Sequence, residues 1–112
     1  MNRFILEMGM GTSLHRGDYQ KAAERAIEDA LRHSTIPMIK TLGLNHADMQ
    51  VKVTIGVAEP DEIDTEALAK RLPRGTASVT AVKGGHNVHH PDLDETNIIA
   101  TAAVEAFLPK QT

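Results

Sequence analysis

An α/β domain is the fold this sequence predicts: a single β-α-β-α-β-α unit over residues 1–112, with helices mainly on one face of its sheet. Three observations lead there. Apolar residues alternate strictly from Val51 to Val57, apolar pairs recur every four residues from Ala22 to Leu31, and strand-like and helix-like stretches follow one another in turn. Such an order favours right-handed crossovers between strands.

The first strand is expected over Met1 to Met8, with Phe4, Leu6 and Met8 on one side and Ile5 and Glu7 on the other. Gly9 to Asp18 then reads as a loop. Asp18 is a suitable N-cap for a helix from Tyr19 to His33, whose pairs Ala22/Ala23, Ala26/Ile27 and Ala30/Leu31 form one apolar face. Small alanines on that face permit a close approach to a sheet. Ser34 to Pro37 ends the helix, because the residue before a proline leaves the α region. Residues 38–48 read as a short helical turn and a polar loop around Asn45-His46.

Met49 to Val57 is the clearest strand. Val51, Val53, Ile55 and Val57 alternate with Gln50, Lys52, Thr54 and Gly56, so one face meets a core and the other is wetter. Asp64 caps a second helix through Leu72, stopped by Pro73 and Gly75. Thr76 to Val82 is a third strand, leading into Lys83-Gly84-Gly85. A third helix is expected from Asp94 or Glu95 to Leu108, burying Ile98, Ile99, Ala102, Ala103, Ala106 and Phe107. Three strands make a thin sheet, and a homo-oligomer joined through sheet faces or edges is the expected remedy.

Composition removes several function classes. The chain has no cysteine, so disulfides, thiolate catalysis and Cys-ligated metals are excluded, which fits a cytoplasmic protein. The net charge is −3 and the basic residues form no block, while aromatic residues number only three (Phe4, Tyr19 and Phe107). Neither backbone electrostatics nor base stacking therefore supports a nucleic-acid partner. No apolar run reaches the length of a membrane span.

If the strands run parallel, their C-terminal ends bring three loops to one edge, where open α/β sheets usually bind ligands. Gly9, Gly11, Ser13, His15 and Arg16 come from the first, Glu59 from the second, and Lys83, Gly84, Gly85 and His86 from the third. A small anionic or carbonyl metabolite is the ligand this set suits. Histidine is the side chain type suited to proton transfer near neutral pH, so His15 is the candidate acid or base, or else hydrogen-bonds its own turn. Arg16 offers a bidentate grip on a carboxylate or phosphate, or lies in solvent. The glycines would let backbone amides approach the ligand. Lys83 and His86 are candidate assisting groups, with an ordinary strand-end lysine as the alternative. Ser13 fits a capping or turn role better than that of a nucleophile.

NAD is not expected, because Leu14 stands where a dinucleotide fingerprint needs its third glycine. The cluster His86, His89, His90 and Asp92 has the chemistry of a zinc site, but its spacing matches no specific ligand pattern, so no metal is assigned. No cofactor can be named. The leading expectation is a homo-oligomeric enzyme acting on a small anionic or carbonyl metabolite at the strand C-terminal loops, and the alternative is a non-catalytic small-ligand or metal-binding module.

The stretch from Gly9 to Arg16 resembles the signature Gly-x-Gly-x-Asp-x-His-Gly of a short family named after a Listeria innocua conserved hypothetical protein. Gly9, Gly11 and His15 match, while Ser13 replaces the aspartate and Arg16 the final glycine. The likeness continues through the alanine-rich helix to Pro37, and again through Gly84-Gly85 and the last segment. The resemblance implies no established activity. Its aspartate could act as base or ligand, whereas Ser13 fills only the hydrogen-bonding role well.

Overall fold

A computed structural model of the chain describes residues 2–14, 17–32, 49–72 and 76–108. It is a mixed α/β domain. In chain order the elements are β1 (Asn2–Ser13), α1 (Tyr19–Arg32), β2 (Gln50–Val57), a 3-10 turn (Pro60–Glu62), α2 (Thr65–Lys70), β3 (Thr76–Lys83), β4 (His86–His89) and β5 (Thr96–Leu108). The expected strands at 49–57 and 76–82 and the expected first helix appear within a residue of their limits.

Local chemistry explains the helix starts. The Asp18 carboxylate accepts from the backbone N–H of Lys21 at 3.0 Å, and Asp64 accepts from that of Ala67 at the same distance. Each satisfies a donor that has no partner in the first helical turn. Gln20 then ties the two helices together, donating to the Asp64 carbonyl at 3.1 Å and accepting from its N–H at 2.8 Å.

The last segment corrects the sequence reading. Residues 96–108 form a strand, not a helix, and it is the centre of the sheet. The order is β1-β5-β2-β3, with β4 also hydrogen-bonded to β5. β5 runs antiparallel to β1, to β2 and to β4, while β2 and β3 are parallel. The expected β-α-β-α-β-α order is therefore replaced, because β3 leads to a β4–β5 hairpin. Physically, Ile98, Ala100, Ala102, Val104 and Ala106 are all buried at a period of two, and pairing on both edges overrides alanine's helix preference.

The second correction concerns Gly9 and Gly11. They lie inside β1 rather than in a loop beyond it, paired with Ala102 and Ala100 of β5. Neither has a positive φ. Their lack of a side chain is used by α1: a Cβ on Gly9 would lie 2.5 Å from the Ala26 carbonyl oxygen and overlap the Ala30 nitrogen. One on Gly11 would overlap backbone atoms of Ala22 and Ala26.

The core follows from this contact. Ala22, Ala23, Ala26 and Ala30 of α1 face the small residues of β1 and β5, beside Val53 and Ile55 of β2. Leu68 of α2 joins the same cluster, with Ala77 and Val79 of β3 at its margin. Small residues on both partners bring helix backbone almost into contact with strand backbone. The expected helix end at Ser34–Pro37, the 38–48 reading and the stop at Pro73 and Gly75 fall outside the described residues.

Candidate functional site

β1 and β2 each run antiparallel to β5, and β3 runs parallel to β2, so β1, β2 and β3 share one direction. Their C-terminal ends meet at the same end of the sheet. The topology thus meets the condition for gathering the three loops, although an antiparallel strand separates the first from the second.

The start of α1 is tied back to the end of β1. Ser13 is buried, and its hydroxyl accepts from the Asp18 N–H at 3.3 Å. Gly17 takes a left-handed φ of 59°, a conformation glycine adopts without strain. Ser13 therefore bridges the turn, in keeping with a turn-forming serine. His15 and Arg16 are outside the described residues. Gly9 and Gly11 sit farther back along the strand, and the space a ligand would need beside them is filled by α1 backbone.

At the other two ends, Lys83 is the last residue of β3 and pairs with Val57 in register. Glu59 is exposed at the start of the 3-10 turn and makes no side-chain capping bond. The Gly84 N–H donates to the Val57 carbonyl at 2.8 Å, and the chain then crosses the end of β2 to enter β4. Gly85 has a φ of 67°, and a Cβ there would lie 2.8 Å from the Gly56 carbonyl oxygen and overlap that of Ile99. Gly84 packs on the Gly56 Cα. Three glycines thus let two backbone segments cross, a role the sequence reading assigned to none of them and one that Gly56, inside an alternating strand, could have signalled.

His86 opens β4 opposite Ile99, while Thr12 of β1 lies opposite the same residue on the other edge of β5. The end of β1 and the start of β4 are hence two strand spacings apart, roughly 10 Å. On the neighbouring row Ser13, Ile98 and Asn87 line up, and the Asn87 amide donates to the Tyr19 hydroxyl at 2.9 Å, tying the hairpin to α1. Lys83, Gly84, Gly85 and His86 are all exposed.

The histidine segment does not assemble a metal set. His86 and His89 stand three apart on one strand and so point to opposite faces. His89 Nδ1 is 3.1 Å from the Thr96 hydroxyl, and His90 Nδ1 accepts from the Asp92 N–H at 3.1 Å. The His90 N–H donates to the Glu95 carbonyl at 2.9 Å. These bonds shape a hairpin turn. Among the described residues no group of three or more His, Asp or Glu side chains converges, and no helix is long and apolar enough to cross a membrane.

The wider comparisons agree with this architecture. A search of curated proteins finds no match. Among solved structures, a crystal structure of an FtsZ-like protein of unknown function from Nostoc punctiforme aligns with a TM-score of 0.79 and 30% identity, covering 96% of this chain and 97% of its own. A family profile described as "conserved hypothetical protein (Lin0512_fam)" matches residues 3–106, nearly the whole described domain. With that span, the chain belongs to the Lin0512 family.

Proposed function

We propose that this chain is a small-ligand protein that works as a homo-oligomer and takes an anionic or carbonyl metabolite at the edge where β1, β2 and β3 end. The supporting observation is the shared direction of those strands, whose ends precede Glu59, the Lys83–His86 segment and the residues that follow Ser13. Strand C-terminal ends are the usual ligand position in such sheets. In this reading His15 is the acid or base, Arg16 grips the anion, and Lys83 and His86 assist. Gly84 and Gly85 contribute backbone, Ser13 orders the turn, and helices mainly on one face leave this end open.

Whether the site is catalytic depends on water. Catalysis gains most from groups held in a water-excluded setting, and Glu59, Lys83 and His86 are exposed on the single chain. That exposure favours a binding module over an enzyme unless a second subunit covers the edge.

A thermal-shift series on the untagged protein with phosphate, malonate, oxalate and pyruvate tests the reading. A binding anion should raise the melting temperature progressively with its concentration. His15→Ala, Arg16→Ala and Lys83→Ala should each remove that shift while leaving the ligand-free melting temperature unchanged. A shift that survives all three substitutions, or none with any anion, would sink the proposal.

A further inference from the structure

The two faces of the sheet are unlike. One carries the helices and core; on the other, Met8 and Met10 are each 63% exposed, and Leu6, Val82 and Val88 are more than two-fifths exposed. Register puts these side chains on a common surface. Leu6, Met8 and Met10 lie opposite Glu105, Ala103 and Thr101 of β5, while Val82 pairs with Gly56 and Val88 with Asn97. Their β5 neighbours are the half-covered positions that alternate with the buried Ala100, Ala102 and Val104.

We infer that this open face is the self-association surface, covered by the same face of a second copy. The inference rests on the homo-oligomeric part of the proposed function; of the proposed ligand residues it shares His86, which lies opposite Ile99 at the margin of this face. Area supports it. Four strands at about 4.8 Å spacing and eight residues at about 3.3 Å give roughly 500 Å² of flat face. β1 and β5 are 12 and 13 residues long and, flanked by β4, extend it, to roughly 700 Å² before side-chain relief is counted, against about 800 Å² per partner in a stable interface.

Charge and shape point to a second copy as the occupant. Lys52 and Glu105 are register neighbours, and Arg3 lies 3.4 Å from Glu105, so both signs already sit together at one end of the face. A partner therefore meets no single-sign field, and no basic cluster is present here to draw an anionic lipid surface. A flat pleated surface packs well on another sheet, and a two-fold axis makes one patch serve both copies. Flexible methionines fill irregular gaps in such a contact.

One competing route, strand addition along the free edge of β1, is obstructed. The outward N–H of Met10 donates to the Asp29 carboxylate at 3.0 Å, and the Thr12 carbonyl accepts from Arg25 at 2.6 Å. Side chains of α1 thus occupy backbone groups that an incoming strand would need.

Light scattering coupled to size exclusion, run on the untagged chain across a dilution series, decides the matter. The wild type should show a mass of at least twice 12.2 kDa. The double variant M8E/M10E should fall to the single-chain mass with unchanged circular dichroism, and Glu62→Lys, on the exposed 3-10 turn, should change nothing. If M8E/M10E fails to fold, Val82→Glu on the opposite side of the face takes its place. A monomeric wild type overturns the inference and leaves the face to a different occupant. An oligomer indifferent to the Met8, Met10 and Val82 substitutions also overturns it, while sparing the homo-oligomer itself. Loss of anion binding in His15→Ala without a change of mass supports both readings, because the two sites are read separately.

Discussion

Gly9→Ala separates two meanings of the same glycine. In a ligand loop, an added methyl group would block binding and leave stability untouched. In the packing described above, it strikes helix backbone. The new Cβ would lie 2.5 Å from the Ala26 carbonyl oxygen and 3.0 Å from the Ala30 Cα, where ordinary contact begins at 3.4 Å. Relief requires α1 to retreat by roughly 1 Å along its contact with β1, since no flexible side chain can move aside instead. Over-packing of this kind costs about 1–3 kcal/mol or more, and the helix carries five buried residues that loosen with it. The gain from replacing a strand glycine, about 0.5–1 kcal/mol, is the smaller effect. A net loss of about 1–2.5 kcal/mol is expected, lowering the melting temperature by roughly 4–12 °C for a domain of this size. Urea unfolding at fixed protein concentration measures it, with Gly11→Ala as a second instance. A variant within about 0.5 kcal/mol of wild type would refute the packing argument, because surface changes have effects of that size.

Two further outcomes test other joints of the fold. Gly85→Ala combines a left-handed φ with a Cβ against the carbonyls of Gly56 and Ile99; it should lower stability by at least about 2 kcal/mol, and a neutral result by chemical denaturation would mean that the β3–β4 crossing is looser than drawn. Asp29→Ala should cost about 1–2 kcal/mol for the bond lost at the Met10 N–H. The same variant should also aggregate more readily with time at constant concentration, since part of the β1 edge is unblocked; unchanged turbidity would argue against the edge being guarded from this helix.

The legible parts of the sequence were those where one pattern had one meaning. Val51 to Val57 alternates with no competing period, and Asp18 and Asp64 each precede a helix and cap it as read. The segment 96–108 was ambiguous. Ile98, Ile99, Ala102, Ala103, Ala106 and Phe107 satisfy a helical stripe, yet Ile98, Ala100, Ala102, Val104 and Ala106 satisfy a strand equally well. What decides is the pair of neighbours on either edge, β1 and β2, which lie about fifty or more residues upstream and leave no local mark. The β-branched Ile98, Ile99, Thr101 and Val104 were the available hint.

The glycines of β1 misled for a related reason. Glycine in a sequence signals a turn or a close approach, and the approach can come from a ligand or from the chain itself. Here the approaching group is α1, whose alanines at 22, 26 and 30 sit at the helical spacing that matches Gly9 and Gly11. Of the candidate site, the common direction of β1, β2 and β3 was a conditional expectation that the pairing meets, while nothing local marked β5 as lying between two of them. The open face was hidden too, because Met8 and Met10 look like core residues until the helix is known to lie on the other side.

The central place of β5 also governs how the chain reaches its native state. The strand that joins β1 to β2 is the last of the described elements, and its outermost pair, Asn2 with Leu108, lies 106 positions apart. Without residues 96–108 the first two strands have no hydrogen-bonded partner in common, so the sheet cannot form in the order in which it is synthesised. Loop closure over such separations comes before the pairing that rewards it, which places folding toward the slow end for domains of this size. Until that final strand arrives, α1 rests on β1 and β2 pairs with β3, but the strand that joins the two halves is missing, and that interval is when a growing or refolding chain is most open to aggregation.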